Sequence, residues 1–142
     1  VKALSSAGQK IWVDPASAPV KVTSLVTNTH AERSPIQLMK AKKNKTEIEG
    51  AIRAHVRDGV AVTRFLAVLA EQGGPAKFDE ISAADLLEKI RQGGEHFKGL
   101  SFDTISGSGG NGAIVHYRST PETNQPLLSG PVYLVDSGAQ YL

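Results

Sequence analysis

From Asn44 to Leu69 apolar residues recur at three- and four-residue steps, through Ile48, Ile52, Val56, Gly59, Val62, Leu66 and Leu69, while Glu49, Arg53, Arg57 and Arg64 fall mostly on another face. That period is helical. Asn44-Lys-Thr-Glu47 has the spacing of a capping box, and Gly73-Gly-Pro75 supplies a stop. The run therefore reads as one long amphipathic helix, and its apolar face needs a broad surface to cover. A shorter helix reads from Ser82, where Asp85 repeats the cap spacing, through Leu86, Leu87 and Ile90 to Gly93-Gly94.

From Leu100 the pattern changes to strands. Leu100 to Ile105, Ala113 to Tyr117 and Pro131 to Ser137 are the candidates, with a glycine-rich turn between the first two. Helices followed by a run of strands imply an α+β fold, the long helix packed across a mainly antiparallel sheet. Upstream, Lys10-Ile-Trp-Val13 reads as a short strand entering a helix with Asp14 as N-cap and Pro15 at its first position. A short helix fits the stretch up to Val26, Ser34 to Ala41 reads as extended, and the polar His30-Ala-Glu-Arg-Ser34 suits a domain boundary.

The absence of cysteine among the 142 residues excludes disulfides, Cys-ligated zinc, iron-sulfur clusters and thiol catalysis for this segment. A formal net charge of +2 gives no reason to expect a nucleic-acid partner. The dense basic cluster Lys40-Ala-Lys-Lys-Asn-Lys45 reads as a solvated loop. The longest apolar stretch, Val60 to Leu69, is broken by Thr63 and Arg64, so no membrane span is expected, and no signal-peptide pattern is visible.

Gly107-Ser-Gly-Gly-Asn-Gly112 has the G-x-G-x-x-G spacing and follows a strand. A dinucleotide site needs a helix to open at the third glycine; here Gly112 opens Ala-Ile-Val-His-Tyr, with Pro121 and Pro126 beyond. A tight glycine turn is the better reading. His116, in a half-buried strand, shares a face with Ile114 and reads either as a hydrogen-bonded structural residue or as a site residue. Asp136 follows Val132-Tyr-Leu-Val135 where a strand leaves the core; a carboxylate buried there needs a cation, whether Arg, Lys or metal. His30, His55 and His96 form no zinc-binding pair, and no Gly-x-Ser-x-Gly elbow is present.

Several of these segments together resemble one family. Thr104-Ile-Ser-Gly107, Gly112-Ala-Ile-Val-His-Tyr117, Pro121-Glu-Thr-Asn124 and Val132-Tyr-Leu-Val-Asp-Ser-Gly-Ala-Gln-Tyr141 resemble the catalytic domain of Xaa-Pro aminopeptidases, within the creatinase, prolidase and methionine aminopeptidase superfamily, peptidase M24. The stretch from Lys40 to Ala61 is similar to the family's first catalytic-domain helix, Glu80 to Asp85 to the start of its second, and Ile11 to Ser17 to the end of the preceding domain. The form Asp136-Ser-Gly-Ala-Gln-Tyr141 points to the long, three-domain branch.

The resemblance implies a pita-bread fold, of which this chain is the front half. Residues 1–33 would be the end of a middle domain and 34–142 the first part of a catalytic domain that continues past Leu142. It implies two divalent metal ions, usually manganese, held by two Asp, one His and two Glu. Asp136 matches the first of those ligands, the second would lie eleven residues further on, and His116 matches the histidine that faces the scissile peptide. The implied activity is hydrolysis of the bond between an N-terminal residue and a following proline, by water activated at the dinuclear centre. The segment alone would be inactive, and the complete protein a cytoplasmic homodimer. A prolidase or creatinase relative, or a non-catalytic module that binds peptides on the same fold, are the alternatives. An exposed edge at Val132 to Val135 would make the isolated segment associate.

Overall fold

The computed structural model describes residues 1–71, 77–127 and 132–142, so the proposed stop at Gly73-Gly-Pro75 and the start of the last strand at Pro131 lie outside the described residues. The chain divides into two compact units, Val1–Lys45 and Thr46–Leu142.

The first unit contains α1 (Lys2–Ser6), β1 (Ile11–Val13), α2 (Val20–Thr23), β2 (Thr29–Ala31) and α3 (Pro35–Ala41), with β1 and β2 paired in parallel. Asp14 does not cap a helix at Pro15. Its Oδ1 accepts from the Ala16 N–H at 3.0 Å, closing a turn, and its Oδ2 accepts from the Ser34 N–H at 2.9 Å. The carboxylate thus serves the start of α3, a partner far away in sequence, and these donors, Ser34 foremost, hold its pKa below the ordinary value. Ser34 to Ala41 is likewise helical rather than extended, because Pro35 occupies the first turn, where a missing N–H costs nothing.

The second unit begins with α4 (Lys45–Glu71), which starts where the Asn44 cap spacing places it. Its core face matches only part of the stripe that periodicity picked out. Phe65 and Ala61 are buried and Val62 and Leu69 pack beside them, whereas Ile48, Ile52, Val56 and Leu66 are exposed. The helix carries two apolar stripes, and this chain covers the one centred on Phe65. α5 (Glu80–Gln92) starts one turn before Ser82: Asp79 is the N-cap, its Oδ1 accepts from the Ser82 N–H at 2.7 Å, and the Ser82 hydroxyl accepts from the Asp79 N–H at 2.9 Å. Ala83 and Leu87 on α5 join Phe65 and Leu127 in the core. Behind this core Arg91 is fully buried and donates twice to Asp58 on α4, each bond 2.9 Å long.

The strands form two antiparallel ladders. β3 (Phe97–Leu100) pairs with β6 (Ala139–Tyr141), and β4 (Ile105–Ser108) pairs with β5 (Tyr133–Asp136). Each strand of one ladder continues into a strand of the other, so the two make one long ribbon with a bulge in the middle. Leu100 faces Ala139 on one side of the bulge and Ile105 faces Asp136 on the other. Ser101 to Thr104 therefore bow out opposite Ser137 and Gly138, and the Ser101 N–H donates to the Gly138 carbonyl across the gap at 2.9 Å. The reading of Leu100 to Ile105 as one strand falls on this bulge. Ala113 to Tyr117 is not a strand either: a 3-10 turn spans Gly109–Ala113, and the chain then reverses at His116, which has a φ of +56°.

Candidate active site

The glycine loop after β4 owes its composition to a close backbone crossing. A Cβ on Gly107 would stand 2.9 Å from both Cα and N of Gly112, and Gly109 has a φ of +53°. Those needs are met within the loop itself, and Gly112 lies near the end of the 3-10 turn with extended backbone at Ile114 after it, so no α-helix opens there to offer its N-terminus to a pyrophosphate. The crossing instead directs the following residues back over the end of the β4–β5 ladder.

There the chain forms an open cavity of about 470 Å³. Phe102 and Asp103 from the bulge, Ile105 from β4, Asp136 from the end of β5, and His116, Tyr117 and Arg118 from the reversing turn line it. The two candidate site residues, His116 and Asp136, thus share one cavity although twenty residues separate them. Phe102, Asp103 and Arg118 are additions that strand patterning missed, because they arrive through the bulge and the turn. Arg118 forms an ion pair with Asp103, and both are largely exposed, so the pair contributes little to stability.

Asp136 is exposed, and among the described residues its carboxylate makes no hydrogen bond or ion pair. The expectation that it must carry a cation rested on burial; at the strand end water reaches the carboxylate and removes that need. The oxygen pair remains free to act as a hard ligand facing a cavity, which fits one arm of a site for a divalent ion. Among the described residues no group of three or more His, Cys, Asp or Glu could hold a metal. His116 is also exposed, and its ring makes no hydrogen bond among the described residues.

Behind the cavity lies a polar centre. Glu80, in the first turn of α5, is fully buried and its carboxylate only accepts. It receives the Ser108 N–H at 2.7 Å, the Asn111 side-chain amide at 3.0 and 3.2 Å, the Tyr117 hydroxyl at 2.7 Å and the Gln125 N–H at 3.2 Å. Tyr117 in turn accepts from Asn111 at 2.9 Å, and burial raises its phenol pKa above the ordinary value. Asn124 completes the cap of α5, its Oδ1 accepting from the Ile81 N–H at 3.2 Å. No helix among the described residues is long and apolar enough to cross a membrane.

This architecture has close counterparts. The chain is 44% identical to a Xaa-Pro aminopeptidase of Drosophila melanogaster over 99% of its own length, which spans 23% of that protein. It is 51% identical to a probable Xaa-Pro aminopeptidase P of Tuber melanosporum over 78% of its length, spanning 18% of that relative. Among solved structures, an X-prolyl aminopeptidase from Caenorhabditis elegans, described as a cytosolic enzyme with a di-nuclear active site, superposes with a TM-score of 0.87 at 30% identity, covering 99% of this chain and 24% of that one. The helices packed on an antiparallel ribbon are thus part of the pita-bread arrangement that the resemblance implied. The model of metallopeptidase family M24 matches residues 39–142, and with relatives of this similarity the chain belongs to that family.

Proposed function

We propose that this chain is part of a metallo-aminopeptidase that removes an N-terminal residue preceding proline, with His116 facing the substrate and Asp136 as one metal ligand. The observation that carries the reading is the shared cavity, which brings together an exposed histidine from the reversing turn and a free carboxylate from the end of β5. The similarity to Xaa-Pro aminopeptidases supports the substrate class. The chain spans only 18% to 23% of those relatives, and in this reading the second Asp, the His and both Glu belong to the remainder.

Residues 1–33 form the tail of a preceding domain and 34–142 the front of the catalytic one, a division supported by the family match beginning at residue 39. Asp136 would hold one of two divalent ions, manganese by preference for oxygen-rich ligation, and such a centre would supply a nucleophilic water near neutral pH and Lewis acidity toward the scissile carbonyl. His116 donates to the oxygen on which negative charge develops, an interaction stronger in the transition state than in the ground state. The complete protein acts in the cytosol as a homodimer.

The test uses the complete protein. Asp136→Asn is expected to lower the metal content measured after dialysis and to abolish release of the first residue from Xaa-Pro peptides. Full metal content and unchanged turnover in this variant would refute the assignment. A panel of Xaa-Pro dipeptides, longer Xaa-Pro peptides and creatine separates the aminopeptidase from prolidase and creatinase chemistry.

A further inference from the structure

We infer that Glu80 is a positioning residue for His116, an assignment that rests on the functional reading above. The His116 ring has no hydrogen bond of its own among the described residues, so its place in the cavity is set by the backbone turn that carries it. That turn is unusual: His116 has a φ of +56°, a left-handed conformation that side chains other than glycine adopt at a cost and keep only when their surroundings impose it. Both ends of the turn are tied to one carboxylate. Asn111, five residues before His116, donates to Glu80 at 3.0 and 3.2 Å, and Tyr117, the next residue, donates at 2.7 Å. The Ser108 and Gln125 N–H groups fix the flanking loops on the same oxygens.

A packing role alone is a poor account of Glu80. It is fully buried and among the described residues has no cation beside it, so it carries a desolvation cost that an apolar side chain of similar size would avoid. That cost is offset by four donor groups plus the N-terminus of its own helix. Three of the four donors, Ser108, Asn111 and Tyr117, belong to the segment that ends at the cavity. The carboxylate is therefore built to hold the His116 turn. A glutamine cannot replace it, since its NH2 group would face donors at one of the two oxygen positions.

The experiment measures Xaa-Pro peptide hydrolysis by the complete protein carrying Glu80→Gln, His116→Ala, or both. Glu80→Gln is expected to lower kcat about 100-fold, as a misplacement of about 1 Å does, with KM within about threefold of the parent. In the His116→Ala background the same change is expected to cost nothing further, because the group that it positions is gone. A parent-like kcat in Glu80→Gln, or an equal fold-loss in both backgrounds, would overturn the inference while leaving the functional reading intact. Full activity in His116→Ala would instead overturn the reading of His116, and this inference with it. If Glu80→Gln yields no folded protein, Tyr117→Phe decides the matter by the same two comparisons, since it keeps the buried ring and removes only the hydroxyl.

Discussion

Replacing Asp58 with Ala isolates a single buried charge. The Arg91 side chain is fully buried, and its Nε and Nη2 both donate to Asp58 at 2.9 Å, while Nη1 has no partner among the described residues. Asp58→Ala therefore strips the guanidinium of its acceptors and its counter-charge together. Breaking a buried pair from one side costs about 3–5 kcal/mol. The Asp58 side chain is 26% exposed, so water can enter beside Arg91 and the lower figure, about 3 kcal/mol, applies. Tyr141, which donates to the same carboxylate at 2.8 Å, loses a bond worth about 1 kcal/mol more. The expected total is about 4 kcal/mol, read as a shift in the urea midpoint at constant m-value. Adding Arg91→Met removes the stranded charge, and the double variant is expected to recover most of the loss, to within about 2 kcal/mol of the parent. A loss below about 1 kcal/mol in the single variant, or a double variant as unstable as the two singles added together, would refute the claim that an uncompensated charge is the cause.

Tyr141 offers an optical check on the same cluster: burial first, then its bond to Asp58, push its phenol from 10.0 up to about 12. A raised phenol pKa contributes stability in full below 10.0 and loses it as pH climbs through about 12, and Asp58→Ala should return the spectroscopic titration of this tyrosine toward 10.0. Asp79 works in the opposite direction, since the Ser82 hydroxyl and N–H hold its pKa below the ordinary 3.8; its contribution is present above that value and disappears as pH falls through the lowered one. Asp79→Ala is expected to cost about 1 kcal/mol of stability at neutral pH, and equal melting temperatures for variant and parent would exclude the cap. Gly107→Ala places a methyl 2.9 Å from the Gly112 backbone and should destabilise by about 1–3 kcal/mol, whereas Gly110→Ala, with nothing within 4 Å of the new Cβ, should be tolerated; equal effects would refute the crossing.

Long-range partnership divides what could be read in the sequence from what could not. The start of α4 is encoded locally, by Asn44 and the spacing to Glu47, and it appears where expected. Its buried face is decided by neighbours: periodicity grouped Ile48, Ile52, Val56 and Leu66 with Val62 and Leu69, and only the last two pack beside Phe65, which nothing local distinguishes. Ala113 to Tyr117 has the composition of a strand, yet the Tyr117 hydroxyl is drawn to a buried acceptor more than thirty residues upstream, and the segment turns instead. Family resemblance singled out His116 and Asp136, and both line one cavity. Glu80 was not singled out, because an acidic residue in the first turn of a helix is ordinary; the donors Asn111 and Tyr117 in one loop were the available signal.

The bulge in the ribbon also restricts how this fold can change length. Between the paired positions Leu100 and Ile105 the chain takes five steps, against three between Ala139 and Asp136, so the surplus is even. An even surplus keeps the alternation of faces in phase on both sides of the kink, leaving Ser106 and Ser108 inside. Loss of one residue from Ser101 to Thr104 would invert β4 relative to its partner, exchanging its inner and outer side chains. Loss of two would straighten the ribbon in register and delete the cavity wall that Phe102 and Asp103 provide. Insertions and deletions here are thus expected to survive in pairs, with cavity shape varying while the strand faces stay fixed.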